Sequence, residues 1–142
     1  VPVLIVDPVR KAVGISHAGW KGTVAKIAQK TVLTMQEQYG TKPSDCLIGI
    51  APSIGLCCYE VNDLVVDKLK EQFTCWEQLI VPHGERYKLD LWQANALQLM
   101  EIGIASNNIT VSNVCTACNK EMFFSYRAEG GCTGRIGAVI AL

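Results

Sequence analysis

The sequence lacks the features that mark the most easily recognised classes of protein. No apolar run approaches the roughly 20 residues that a membrane-spanning helix needs, and Asp7 and Arg10 interrupt the apolar stretch that starts at Val1. That stretch has no basic leader and no small-residue cleavage site, so we interpret it as a buried strand. The 13 basic and 13 acidic residues balance, which argues against nucleic acid or an anionic membrane as a partner.

Histidine is scarce as well. Only His17 and His83 are present, so no histidine-rich metal motif can be assembled within this chain. Multicopper centres need many histidine ligands together with cysteine, and the ligand count therefore argues against copper as a cofactor.

The chain also has no internal repeat, low-complexity tract or linker, and its 142 residues fit one domain over residues 1–142.

Cysteine, by contrast, is abundant. There are seven, and two of them, Cys57 and Cys58, are adjacent, which suits no simple ladder of disulfides. We therefore expect a reducing cytoplasmic location, with most thiols serving as small buried apolar groups. A non-enzymatic alternative is a cysteine-zinc structural module. Cys115-x-x-Cys118 would supply one pair of ligands and Cys57-Cys58 the other, although zinc ribbons usually have two CxxC pairs.

Helical and strand patterns are mixed along the chain without a strand–helix–strand period. This mixture favours an α+β domain with mixed β-sheets and flanking helices over a doubly wound fold. Asn62 and Asp90 are the predicted N-caps of two helices. We predict strands at 1–6, 12–16, 47–51, 57–61, 109–114 and 136–142, helices at 23–39, 63–73 and 91–102, and a loop at 80–87.

The segment SHAGWKGT, residues 16–23, combines a strand end, two glycines and a helix start. Such a tight turn exposes a side chain at the end of the strand. It also directs the free N–H groups and the positive dipole of the next helix toward the same pocket, where a phosphate or carboxylate would bind. Lys21 adds a positive charge. The alternative is a structural His17 beside a packed Trp20, since the spacing alone does not define a zinc site.

Five blocks occur in order: HAGWKGT at His17, APSIGLCCYEV at Ala51, LDLWQAN at Leu89, CTACNKEMFFSYRAEG at Cys115 and TGRIGAVI at Thr133. Together they resemble the family long called multicopper polyphenol oxidase or laccase-domain proteins. Its members are now regarded as purine nucleoside phosphorylases with adenosine deaminase activity. The resemblance covers essentially the whole chain. It implies a zinc-dependent enzyme whose partners are a nucleoside and phosphate.

The resemblance also implies a zinc site made by a His, a Cys and a second His. His17 matches the second His, so we expect it to be both a metal ligand and a catalytic residue. The chain begins VPVL, which looks like the continuation of the block that carries the ligand Cys. We therefore expect that Cys and the first His upstream of Val1, with the N-terminal part of the family domain missing. One His cannot hold zinc tightly, so this piece alone is expected to be metal-poor and inactive.

The same resemblance makes Lys21, Arg127 and Arg135 candidate phosphate contacts, with a surface or structural ion pair as the alternative for each arginine. Lys21 replaces the usual arginine and keeps the charge but not the bidentate fork. The second of a usual pair of arginines is Ala128. Tyr126 and Phe124 could stack on a purine, with core packing as the alternative for Phe124.

The family implies one alternative enzymatic function. Some bacterial relatives act as peptidoglycan editing factors, which cleave a wrong amino acid from a muramyl precursor of the cell wall. That reaction is amide hydrolysis, and it too could use a zinc site that includes His17. Competition between adenosine and a muramyl-serine precursor would distinguish the two functions.

Overall fold

Two small β-sheets and four α-helices make up the chain in a computed structural model that describes residues 1–142. In the first sheet, β1 (Pro2–Asp7) pairs antiparallel with β2 (Ala12–His17) and with β3 (Leu47–Ile50). Strand β7 (Ile109–Val111) pairs parallel with β3. Val3 and Ile5 in β1 are fully buried and alternate with partly exposed neighbours, as a strand with one core-facing side requires. The strand order in this sheet is β2-β1-β3-β7.

The second sheet contains a hairpin where the sequence predicted a loop. β5 (Ile80–His83) pairs antiparallel with β6 (Arg86–Leu89), which also pairs with β4 (Glu60–Val61). The loop predicted at 80–87 is therefore wrong. Residues 81–86 are all exposed, so they show no alternation of buried and polar side chains. The hairpin is defined by backbone pairing, which the composition does not record.

The predicted helix over 23–39 is interrupted in the structure. It consists of α1 (Trp20–Val24) and α2 (Ile27–Tyr39), separated at Lys26, whose φ of 55° lies in the left-handed region. Lys26 leaves the helical path at this position and forms a 2.6 Å ion pair with Glu101. The periodicity of apolar residues continues through the break, so the sequence did not reveal it.

The other two predicted helices are confirmed, with slightly shorter bounds. They are α3 (Asp63–Gln72) and α4 (Leu91–Met100). The Asp90 side chain accepts a hydrogen bond from the amide of Gln93 at 2.9 Å, as predicted for an N-cap. Asn62 occupies the N-cap position of α3, but its side chain makes no capping hydrogen bond. No helix has both the length and the apolar character needed to cross a bilayer.

The C-terminal segment, residues 112–142, contains no helix and no strand. The strand predicted at 136–142 is therefore wrong. Its apolar pattern is suitable, but a strand needs a partner edge, and no strand of this chain pairs with these residues. Most of their side chains are exposed, Val139 to 87%.

One core joins the two sheets. A single cluster of 23 buried residues includes Ile5 and Ile50 from the first sheet, Val61 and Leu89 from the second, and Leu99 from α4. The predicted α+β class, with mixed sheets and flanking helices, is confirmed. The arrangement places the start of β1, the end of β2 and the loop after β3 at one edge of the first sheet.

Candidate functional site

A cavity of about 500 Å³ lies at this edge of the first sheet. Its wall combines the start of β1, the turn between β2 and α1, the loop after β3 and the C-terminal segment. The C-terminal segment contributes Thr116, Phe124, Ser125, Tyr126, Arg127, Gly134, Arg135 and Ile136. Elements far apart in the sequence therefore meet around one concave surface.

His17 lies at this cavity as the last residue of β2. It is exposed and lines the cavity, and β pairing places it opposite Pro2. The next amide, Ala18 N–H, donates a 2.7 Å hydrogen bond to the carbonyl of Val1. The ring is therefore neither sealed in the core nor remote from the first residue. Its predicted role as a metal ligand stays a prediction.

A buried polar network supports the turn that carries His17. The hydroxyl of Thr23 donates to the carbonyl of Ala18 at 3.1 Å and accepts from Nδ2 of Asn95 at 3.0 Å. Asn95 Oδ1 in turn accepts from Gln98 at 3.1 Å. All three polar side chains are fully buried. Two of the sequence blocks, HAGWKGT and LDLWQAN, are thus joined by hydrogen bonds, which position His17 relative to α4.

Lys21 does not reach the cavity. It lies on the exposed side of α1, with Nζ 5.7 Å from the centroid of the Trp20 ring, and it is absent from the cavity wall. The helix itself has only five residues, so it contributes much less dipole than the long helix that the sequence predicted.

Arg127 and Arg135 both line the cavity. Nη1 of Arg127 donates to the carbonyl of Glu60 at 2.7 Å, and its guanidinium lies 5.0 Å from the centroid of the Tyr59 ring. Arg135 donates to carbonyls of its own segment and lies 5.8 Å from the centroid of the Tyr126 ring. Neither arginine forms a salt bridge, so the surface ion pairs considered as an alternative are not observed.

Aromatic side chains complete the cavity. Trp20, Tyr59, Phe124 and Tyr126 all contribute to its wall. Phe124 is 54% exposed and Tyr126 is 66% exposed, so core packing does not describe Phe124. Burial raises the pKa of Tyr59, and the charge of Arg127 offsets only part of that effect. Tyr59 was not among the predicted site residues, although it lies within the APSIGLCCYEV block.

A second group of potential metal ligands is a cluster of four cysteines. The sulfurs of Cys57, Cys58, Cys115 and Cys118 all lie within 4.8 Å of one another. Sγ of Cys118 is 3.5 Å from that of Cys57 and 3.4 Å from that of Cys58. Four thiols at these separations can hold a metal ion.

Cys115 is the buried member of this cluster, and its sulfur accepts a hydrogen bond from the amide of Gly55 at 3.3 Å. Burial raises the pKa of Cys115, but the amides of Gly55 and Cys118, with help from the Cys57 thiol, outweigh that effect and lower the pKa to about 7. The sulfur environment therefore favours the thiolate at this position.

The cluster corrects one expectation about cysteine, and it groups the two cysteine pairs that the sequence offered for a zinc module. Only Cys46 and Cys115 of the seven free cysteines are buried, so the expectation that most thiols are buried apolar groups is wrong. The adjacent pair at 57–58 was also a poor match to a zinc ribbon, yet it meets the 115–118 pair in space. The reason is topological, because β3 and β7 are parallel neighbours and the loops that follow them leave the same sheet edge.

Comparison with known proteins finds relatives and solved structures that are similar to this chain. The chain is 42% identical to the purine nucleoside phosphorylase YlmD of Geobacillus stearothermophilus over 144 residues, covering 99% of this chain and 52% of the relative. It is 36% identical to the adenosine deaminase RL5 of an unknown prokaryotic organism, covering 95% of this chain and 52% of the relative. The crystal structure of the hypothetical protein YfiH from Bacillus licheniformis matches with a TM-score of 0.89 at 40% identity, covering 94% of this chain and 51% of that chain.

The chain thus spans about half the length of the curated relatives it matches. All of it, residues 1–142, matches one family, and the resemblance carried by the five sequence blocks is confirmed. The chain belongs to the family described as multi-copper polyphenol oxidoreductase laccase.

Proposed function

We propose that the full-length protein is a zinc-dependent purine nucleoside phosphorylase that also deaminates adenosine, and that this chain supplies His17 and much of the substrate cavity. One observation carries the proposal. The exposed ring of His17, beside Val1 and Pro2, shares a cavity with two arginines that no carboxylate neutralises. The names of the relatives support the same reaction class.

His17 suits a role as one zinc ligand. Its imidazole is exposed and lines the cavity, so the ring is accessible to a metal ion. Its position next to Val1 suits a site whose Cys and first His come from the part of the protein that precedes Val1. When bound, zinc would act as a Lewis acid and activate water.

Zinc also suits this chain better than the copper in the family's description. The other histidine, His83, does not line the cavity. It lies in β5, with Nε2 3.8 Å from a carboxylate oxygen of Glu60. This chain therefore brings one histidine to the cavity, whereas multicopper centres need several.

The cavity suits a nucleoside together with phosphate. A volume of about 500 Å³ lies within the usual range of roughly 300–1,000 Å³ for small-molecule sites. The rings of Phe124 and Tyr126 offer flat surfaces to a purine, and Arg127 and Arg135 offer guanidinium groups to phosphate. In phosphorolysis, a phosphate oxygen bonds to the anomeric carbon of ribose, the glycosidic bond breaks, and the departing purine takes up a proton. In deamination, water replaces the exocyclic amine, and ammonia leaves.

The cellular location and the partners that we propose rest on the cysteines and on the balance of charges. The seven cysteines are all free, which supports a reducing cytoplasmic location. The balanced charges support small-molecule partners, with neither nucleic acid nor a membrane among them.

The test uses the full-length protein with inosine or adenosine and phosphate, and measures release of the free base, ribose 1-phosphate and ammonia. We expect His17→Ala to lower kcat/KM at least 100-fold. Arg127→Gln and Arg135→Gln should each raise the KM for phosphate about 10- to 100-fold, because a hydrogen bond to a charged group contributes about 1.5–3 kcal/mol. Arg10→Gln is the matched control, since Arg10 is exposed and lies outside the cavity.

Unchanged turnover in His17→Ala would remove this residue from the mechanism. A muramyl-serine precursor is assayed in parallel. If it is hydrolysed while nucleosides are not, the editing amidase is the correct function and the phosphorylase proposal fails.

A further inference from the structure

We propose that Cys57, Cys58, Cys115 and Cys118 form a structural zinc site that is separate from His17. In this arrangement the ion holds the arginine-bearing C-terminal segment against the cavity. None of the four cysteines lines the cavity, so this site goes beyond the proposed function and does not depend on it.

The separations of the sulfurs match tetrahedral coordination of a single ion. Zinc–sulfur bonds of about 2.3 Å place the sulfurs of a tetrahedral site about 3.8 Å apart. Cys118 Sγ lies 3.5 Å from Cys57 Sγ and 3.4 Å from Cys58 Sγ, and no pair among the four exceeds 4.8 Å. The ligand atoms are therefore already grouped, and an ion requires only small side-chain adjustments.

The ligand set favours zinc over other metals. Four thiolates in a tetrahedral arrangement are typical of zinc or of iron–sulfur centres. Cysteines around a multi-iron cluster stand farther apart than these four, because the cluster's own atoms separate them. Cys115-x-x-Cys118 has the spacing of a zinc knuckle, and the short separations suit a single ion.

The backbone provides support around these ligands. The amide of Gly55 donates to Cys115 Sγ at 3.3 Å, the kind of outer hydrogen bond that orients thiolate ligands. Gly55 is closely confined there, because an added Cβ would lie 2.8 Å from the Trp92 ring and 3.3 Å from Cβ of Cys115. On binding, the thiols release their protons to solvent and the ion bridges the thiolates. The amide dipole then faces a site of net negative charge.

The role of the site follows from what else holds the C-terminal segment. No helix or strand occurs after β7. The segment's links to the loop after β3 and to β4 include the isolated bridge between Ser53 and Cys115, the bond from the Gly55 amide to Cys115 and the bond from Arg127 to the carbonyl of Glu60. A metal shared by residues 57, 58, 115 and 118 would cross-link the two loops and restrict their freedom. It would thereby hold in place the segment that carries Arg127 and Arg135.

The experiment measures the cysteine site alone by removing the proposed zinc ligand His17. Metal content is measured by mass spectrometry in full-length His17→Ala protein, alone and combined with Cys118→Ser, Cys58→Ser or Cys132→Ser. We expect one zinc per chain in His17→Ala, less than one tenth of that with either cluster substitution, and one with Cys132→Ser, because Cys132 is exposed and outside the cluster. The wild-type protein should hold two zinc ions per chain if the proposed function is also correct. If only that proposal fails, wild type and His17→Ala both hold one.

Three further measurements do not depend on whether the cysteine variants fold. A mercurial reagent titrated into His17→Ala should release one zinc as four thiols react, and Co²⁺ loading should produce the absorption bands of tetrahedral thiolate coordination. Limited proteolysis of residues 115–142 should accelerate at least 10-fold after zinc is removed. The proposal is overturned if His17→Ala contains no zinc, if iron replaces it, or if mass spectrometry finds a disulfide among the four cysteines.

Discussion

At the scale of single residues, buried hydroxyl and amide groups determine where the exposed imidazole lies. The His17 ring is exposed at the cavity, and the turn that carries it is anchored through Thr23 and Asn95. Because a buried polar group without a partner is unfavourable, these side chains specify one arrangement of the turn. Precision at the site therefore comes from residues that substrate would not touch.

Thr23→Val should lower the free energy of unfolding by about 1–3 kcal/mol. The substitution keeps the shape of the side chain but removes the group that bonds to the Ala18 carbonyl and to the amide of Asn95. Urea unfolding of the full-length protein measures the change. Thr34→Val is the matched control, since Thr34 is exposed on α2, and an equal loss there would refute the role of the network.

At the scale of elements, the least regular part of the chain forms a large part of the cavity. The C-terminal segment has no strand or helix, and its shape depends on close contacts between side chains and backbone. Gly134 is one such contact, because an added Cβ would lie 2.6 Å from the Phe124 ring. Any side chain at this position must therefore displace the ring or the backbone.

Under the proposed function, Gly134→Ala should raise the KM for phosphate about 10-fold or more. The added Cβ must displace either the Phe124 ring or the backbone that leads into Arg135, and a hydrogen bond to a charged group contributes about 1.5–3 kcal/mol. Gly137→Ala should have no effect, because nothing lies within 4 Å of the added Cβ. Steady-state kinetics of the full-length protein with varied phosphate tests the pair. Equal KM values in both variants would show that the added Cβ is accommodated without consequence for Arg135.

At the scale of the whole molecule, both sheets share one apolar core. The buried cluster of 23 residues extends from β1 through α4 to the second sheet, so neither sheet has a core of its own. The single domain predicted for residues 1–142 should accordingly unfold as one unit.

Leu99→Ala tests this expectation, because Leu99 is fully buried in that cluster. Removal of a buried leucine side chain typically lowers the free energy of unfolding by about 2–5 kcal/mol. Far-UV circular dichroism and tryptophan fluorescence of the full-length protein should still report one coincident transition. Leu33→Ala, at a position 39% exposed on α2, should have a much smaller effect. Two separate transitions in Leu99→Ala would contradict the shared core.

Several features could be predicted because their causes are local. Alternating burial in β1, the cap at Asp90 and the helix periods of α3 and α4 depend on residues within a few positions of one another. His17 was predicted at a strand end because the glycines of its turn are adjacent to it. Arg127 and Arg135 were predicted only through the resemblance, and the structure places both at the cavity.

Other predictions failed where partners distant in the sequence decide the outcome. The hairpin of β5 and β6 depends on backbone pairing between exposed residues, and residues 136–142 have a strand-like pattern but no partner edge. Lys21 lies outside the cavity because α1 begins at Trp20 and presents the Lys21 side chain to solvent. Neither the composition nor the spacing of residues specifies these strand pairings and side-chain positions.

The sequence alone therefore determined the family, the α+β class and the position of His17 at the end of a strand, because ordered motifs and short-range periodicity are properties of the chain itself. Only the tertiary structure brought the two arginines to one cavity with His17 and grouped the four cysteine sulfurs. Cys57 and Cys118 are 61 residues apart. Their sulfurs meet because parallel β3 and β7 deliver the following loops to the same edge, a relation that exists only after the sheet has formed.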